Sequence, residues 1–157
     1  LSIPILINSK DNIEPAGIPS QTENGLGAVF LLDSGSTGET GPMVNIFMEN
    51  MKQEGFRQML KEQFVKHTDA CVDDFLKGDV KSLFSNVKRL SHVVLDNFKP
   101  MIPAQFHKLW KHGIDTNDYY LKLCGSGGGG NILGFTEDID KARKSLKDYK
   151  LEVVYNF

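Results

Sequence analysis

The sequence predicts an α+β fold, a sandwich of one antiparallel sheet and several helices. Three observations lead there. Short apolar runs bounded by glycine, proline and polar residues occur at Ala28–Asp33, Tyr119–Cys124, Asn131–Phe135 and Leu151–Phe157, and such bounded runs read as strands. Between the first run and the second, apolar residues recur every three to four positions, the period of helices buried on one side. The last third then gives strand, strand, helix, strand, which completes a split β-α-β order.

The elements follow in chain order. "LSIPILI", Leu1–Ile7, reads as an edge strand, because Pro4 has no N–H to donate to a ladder. Residues 8–27 are rich in proline, glycine, asparagine and serine and read as a loop. "AVFLLD" is apolar almost throughout and is expected inside the sheet. "SGSTGETGP" is a second loop that leads into a helix, with Thr40 as its cap and Pro42 in the first turn. Met43, Val44, Phe47, Met48 and Met51 mark that helix, and Gly55 is expected to interrupt it. Leu60, Phe64, Cys71, Phe75 and Leu76 mark the next, which Gly78 stops; Asp79 caps a third. Val80, Leu83, Phe84, Val87, Leu90, Val94 and Phe98 form its stripe, and Pro100 ends it. A short helix from Pro103 carries Phe106, Leu109 and Trp110, with Gly113 closing it. "TEDIDKARKSLKD" places acids before bases, which complements a helix dipole. The sum is a ferredoxin-like sandwich with an antiparallel sheet and an enlarged helical crossover.

A length of 157 residues fits one domain, 1–157. The net charge of −2 lacks the basic excess of a nucleic-acid surface. No apolar run is long enough to cross a bilayer, and no basic-then-apolar-then-small pattern is read at the start, so secretion is not expected. Cys71 and Cys124 have no tight spacing, which suits a reducing, cytoplasmic setting. The first residue is Leu1 rather than Met, so the chain is expected to be cut from a longer protein.

The run Gly125, Ser126, Gly127, Gly128, Gly129, Gly130 needs its own explanation. A flexible spacer is disfavoured, because two short strands flank the run closely. A hairpin turn is part of the answer, yet a hairpin needs only about two special residues. Each further glycine costs roughly 0.5–1 kcal/mol of ordering entropy against alanine. Bare backbone supplies a reason: its N–H groups can converge on an anion, or it can admit close approach of a phosphate or of another loop that holds one. Neither a P-loop nor a dinucleotide fingerprint is present.

Other candidates have plainer readings. Asp33 at a strand end is expected to start a turn by accepting from the next N–H groups. His67, His92, His107 and His112 make no i, i+4 pair and lie by no cysteine pair, so no metal held by protein ligands is expected. Cys124 reads as a small packed residue rather than a reactive thiol.

"KLCGSGGGGNILGF" resembles the glycine-rich third motif of the GHMP kinases, in which a strand, a loop of the type [ST]-G-[AS]-G-G-G-G, a strand and a helix follow one another. Cys124 stands where that motif commonly has threonine or serine. "LLDSGSTGETGPMVNIF" is similar to the mevalonate kinase segment with a threonine just before a helix, and Thr40 is the matching residue. The resemblance covers about Ala28 to Phe157. It implies the C-terminal lobe of a two-lobe, ATP-dependent kinase that phosphorylates the hydroxyl of a small metabolite, most like mevalonate kinase of isoprenoid biosynthesis. It implies a nucleotide-side loop at Gly125–Gly130 and a substrate-side loop at Ser36, Thr37 and Thr40. ATP and Mg²⁺ would be cofactors of the whole enzyme. The partners implied are an N-terminal lobe, reached through residues 1–27, and a small alcohol substrate. The catalytic residues and the G-L-G-S-S loop would belong to that lobe; "NGLGAVF" matches only half of the loop. This chain alone is therefore expected to be inactive. Two alternatives stand beside this reading: another kinase of the family, for phosphomevalonate, homoserine or a sugar, and a non-catalytic ferredoxin-like ligand-binding module.

Overall fold

Two sheets form, and they differ in what their residues can bury. The structure, a computed structural model, describes residues 4–17, 19 and 21–157; the expected start of the first strand, Leu1–Ile3, lies outside the described residues, as do Ile18 and Ser20. The small sheet is a hairpin of β1 (Ile5–Ser9) and β2 (Asn12–Pro15), antiparallel with Ile7 opposite Ile13. This corrects two expectations. The first strand pairs locally instead of edging the main sheet, and part of the expected 8–27 loop is itself a strand. Asn12–Pro15 is exposed throughout, so no alternation of apolar and polar residues marks it as a strand.

The main sheet contains β3 (Ala28–Asp33), β4 (Tyr120–Leu123), β5 (Asn131–Thr136) and β6 (Leu151–Asn156), in the order β4-β5-β3-β6, all neighbours antiparallel. This is the ferredoxin-like order. The most apolar strand, β3, lies between β5 and β6, as its composition requires. Phe30, Leu32, Leu121 and Ile132 are fully buried along it and its neighbours. Gly134 sits opposite Phe30 in the ladder, and a Cβ on Gly134 would fall on the Phe30 ring. A glycine inside a strand here makes room for an aromatic ring.

The crossover from β3 to β4 is helical, with α1 (Thr40–Asn50) and α2 (Glu54–Met59) first. The chain between them turns at Met51–Gln53, so the break precedes Gly55, which lies in the first turn of α2. From α2 the chain runs through a π-helical stretch, Leu60–Val65, into α3 (Lys66–Lys77). Gly78 ends α3 in the left-handed conformation at φ 71°, and Asp79 caps α4 (Val80–Asn97) by accepting from the Ser82 N–H at 3.1 Å. Both signals act as read. The expected α4 stripe is buried, with Val80 half-buried, and Ser91 and Val93 are buried as well. Each Val, Leu or Phe so buried contributes about 1.5–3 kcal/mol.

Short 3₁₀ turns at Lys99–Met101 and Ala104–Phe106 lead into α5 (His107–Thr116). Asn117, at φ 58°, ends α5, not Gly113. Gly113 is buried within the helix because a Cβ there would meet the carbonyl and ring of Tyr119. Trp110 and Tyr119 are fully buried, yet the Trp110 indole donates to the Ser91 carbonyl (3.0 Å) and the Tyr119 hydroxyl to that of Leu109 (2.6 Å). Rings of α3 and α4 reach the last strand and the residue that follows it: Phe75 meets Tyr155 at 5.8 Å and Phe84 meets Phe157 at 5.3 Å. Finally, α6 (Ile139–Ser145) is capped by Asp138, which accepts from the N–H groups of Asp140 and Lys141. No described helix is long and apolar enough to cross a membrane.

Candidate functional site

Strand register decides which loops meet. Asp33, the last residue of β3, pairs with Asn131, the first of β5. The loop leaving β3 and the glycine loop entering β5 must therefore emerge side by side at one end of the sheet. The ladder continues past the strands: the Ser34 N–H donates to the Gly130 carbonyl at 3.0 Å, and the Gly130 N–H donates to the Ser36 carbonyl at 2.7 Å. Asp33 takes the turn-forming role, accepting from the Gly35 N–H at 2.8 Å. Ser34 is buried and its hydroxyl donates to the Ser36 carbonyl at 3.1 Å.

The glycines have unequal tasks. Gly125, Gly127, Gly128 and Gly130 hold φ between 56° and 82°, backbone that side chains disfavour. Gly129 has a different reason. A Cβ there would lie 2.7 Å from the Gly38 nitrogen and 2.8 Å from the Thr37 carbonyl carbon. The demand is mutual, since a Cβ on Gly38 would lie 2.9 Å from the Gly127 carbonyl oxygen and 3.1 Å from the Gly129 nitrogen. Two main chains thus touch with no side chain between them.

This contact consumes donors. The N–H groups of Gly127, Gly128 and Gly130 donate to the carbonyls of Cys124, Met101 and Ser36. Those three are not directed at an anion; the geometry favours close approach of a second loop over an anion nest. The run is not hidden beneath side chains, for only Gly127 is buried and Gly125 is exposed. Gly125 lines a cleft of about 380 Å³ whose other walls include Phe47, Phe64, Phe98, Met101 and Lys122.

Of the sequence-predicted substrate-side residues, Ser36, Thr37 and Thr40 are all exposed. Thr40 does not cap α1. Glu39 holds the cap position without a side-chain bond, and Thr40 is the first helical residue. Its hydroxyl lies 3.5 Å from that of Ser126 across the loop junction. The two loops singled out separately in the sequence therefore form one rim.

Three contributors were not foreseen. Gly38 accommodates Gly129, Met101 accepts from Gly128, and the Gln105 amide donates to the Ser34 carbonyl at 3.2 Å. A glycine in the first loop was a visible signal for Gly38; Met101 and Gln105 act through a backbone oxygen and a surface amide, which leave no pattern. The histidines lie elsewhere or are engaged: His92 pairs with Asp96 at 2.9 Å, and His107 faces the Lys99 and Ile102 carbonyls. Among the described residues no group of three or more His, Cys, Asp or Glu side chains could hold a metal ion. Cys124 is half-buried.

No protein-family model matches the chain, and no curated protein matches it. Solved structures do. A Lin0012 protein from Listeria innocua superposes with a TM-score of 0.70 at 16% identity, over 93% of this chain and 41% of that one. Phosphomevalonate kinase from Streptococcus pneumoniae, in complex with phosphomevalonate and AMPPNP, gives 0.65 at 14% identity over 96% of this chain and 44% of that one. A second structure of that kinase gives 0.62 at 15% identity over 96% and 45%. The chain thus spans less than half the length of these proteins. The α+β sandwich expected from the resemblance to the C-terminal domain of GHMP kinases is the fold observed, and it is shared with a portion of phosphomevalonate kinase.

Proposed function

We propose that this chain is the C-terminal lobe of a GHMP-type, ATP-dependent kinase that phosphorylates a small alcohol or phosphate acceptor. The observation that carries the reading is the junction of the Gly125–Gly130 loop with the Ser34–Thr40 loop, main chain against main chain, in a fold shared with a phosphomevalonate kinase. In such an enzyme the chemistry is in-line phosphoryl transfer, governed by positioning and charge neutralisation. This lobe contributes positioning. Gly125 lines the cleft described above, and beside it the hydroxyls of Ser126 and Thr40 lie 3.5 Å apart across the loop junction. Three spent N–H groups suit a wall better than a phosphate cradle. On the same reading Mg²⁺ would arrive with the nucleotide and be held by the other lobe.

Two acceptors have specific support. The Ser34–Thr40 loop resembles that of mevalonate kinase, and the fold neighbour was crystallised with phosphomevalonate. The test uses the full-length protein that carries this chain, with ATP·Mg²⁺ and mevalonate, phosphomevalonate, homoserine and galactose in parallel. Transfer to one of them is expected. No transfer to any, with ligand binding retained, would favour the non-catalytic module. The 157-residue chain alone should show almost no rise in melting temperature with ATP·Mg²⁺, because a ligand stabilises only what binds it.

A further inference from the structure

The segment from Lys99 to His107 holds both loops of the rim. The Met101 carbonyl accepts the Gly128 N–H at 2.6 Å, and Gln105 reaches the Ser34 carbonyl at 3.2 Å. The same Met101 oxygen would lie 2.8 Å from a Cβ on Gly127. One carbonyl therefore both bonds the glycine loop and walls it, and the direction of that carbonyl sets where the loop lies.

His107 bonds the turn that carries this carbonyl. Its Nε2 is 3.1 Å from the Lys99 carbonyl oxygen and 2.8 Å from that of Ile102. Two acceptors about one ring nitrogen place the proton on Nε2. The two carbonyls bracket Met101 in the chain, so the ring ties both ends of the turn that presents the Met101 oxygen. No sequence motif marks this residue.

We propose that His107 is a positioning residue: by tying the Lys99–Ile102 turn it sets the Met101 carbonyl, and through it the place of Gly128 in the rim. The effect on the glycine loop stands on geometry alone; its consequence for phosphoryl transfer rests on the kinase reading above.

The test reads amide hydrogen exchange by NMR in the chain and in H107L, H107N and H107Q. Leucine fills the space without an N–H, asparagine is too short to reach Ile102, and glutamine places an amide nitrogen near the Nε2 position. Exchange at Gly128 should rise about fivefold to tenfold in H107L and H107N, the size expected for one loosened hydrogen bond, and return towards the parent in H107Q. The Ile132 amide in the sheet should keep its protection. Should H107L fail to fold, H107N gives the same reading. Equal Gly128 exchange in all variants, or a rise matched at Ile132, overturns the proposal. In the full-length protein, kcat should fall severalfold in H107N and recover in H107Q. If the parent transfers phosphate to none of the acceptors, the kinase reading fails and the exchange result alone judges His107.

Discussion

Replacing Gly129 by alanine tests the loop junction directly. The new Cβ would lie 2.7 Å from the Gly38 nitrogen, 2.8 Å from the Thr37 carbonyl carbon and 2.9 Å from the Gly38 Cα. All three are backbone atoms, so no rotamer change relieves the contact. The shortest distance is about 0.7 Å inside the 3.4 Å at which ordinary contact begins. The loops cannot separate freely, because Gly130 bonds Ser36 at 2.7 Å and Ser34 at 3.0 Å immediately beside the contact. Overpacking of this kind costs about 1–3 kcal/mol. For a chain of this size that corresponds to a fall in Tm of roughly 3–10 °C, read by thermal unfolding followed by circular dichroism. Gly38→Ala makes the same intrusion from the other side. The double variant should cost less than the two single costs added, since one separation of the loops relieves both. A G129A chain that melts within about 1 °C of its parent, where a shift several times larger is expected, would show that the loops do not touch in solution.

Three further outcomes follow from the same structure. Gly55→Ala, in the first turn of α2 with open space around its Cβ and no left-handed φ, should stabilise the chain by about 0.4–1 kcal/mol in denaturant unfolding. Asp79 has its carboxyl held below the ordinary range, first by the Ser82 backbone N–H and then by the Ser82 side chain. Its folded pKa is the lower one, so its contribution is present above the unfolded value of about 3.9 and is lost as pH falls through the folded value. The Tm gap between the parent and D79A should therefore be open at neutral pH and close in acid below that range; a gap that persists there refutes the assignment. The Cys71 thiol is pushed up to about 12, chiefly by burial and then by Asp74. In a C124S chain it should react slowly with a thiol reagent at pH 8, and labelling at the rate of an exposed thiol would contradict the packing.

The sequence was legible where one residue decides one local event. Gly78 and Asp79 lie together at a helix junction, and each acts by its own backbone or side chain without help from distant residues. The sheet order was legible because apolar runs and helical periods are local too. What was not legible depends on residues distant in sequence. Gly113 reads as a helix stop, yet its smallness answers to Tyr119. Thr40 reads as a cap, yet the helix takes it in as its first residue and its hydroxyl faces Ser126. The hairpin of β1 and β2 was missed because β2 buries nothing, so no burial pattern could announce it.

The glycine loop shows how the two kinds of information combine. From the sequence, five glycines in six positions exceed what a hairpin needs, and an anion is the obvious claimant for bare N–H groups. The structure gives those groups to carbonyls instead: Gly127 to Cys124, Gly128 to Met101 and Gly130 to Ser36. The glycines are then required for two separate reasons. Four adopt left-handed backbone that turns the chain tightly, and Gly129 lets a second main chain lie against it. A loop fixed in that way has little freedom to wrap a ligand. It is well suited to hold a rim at constant spacing, so that whatever binds there meets a surface already ordered and loses less conformational entropy on binding.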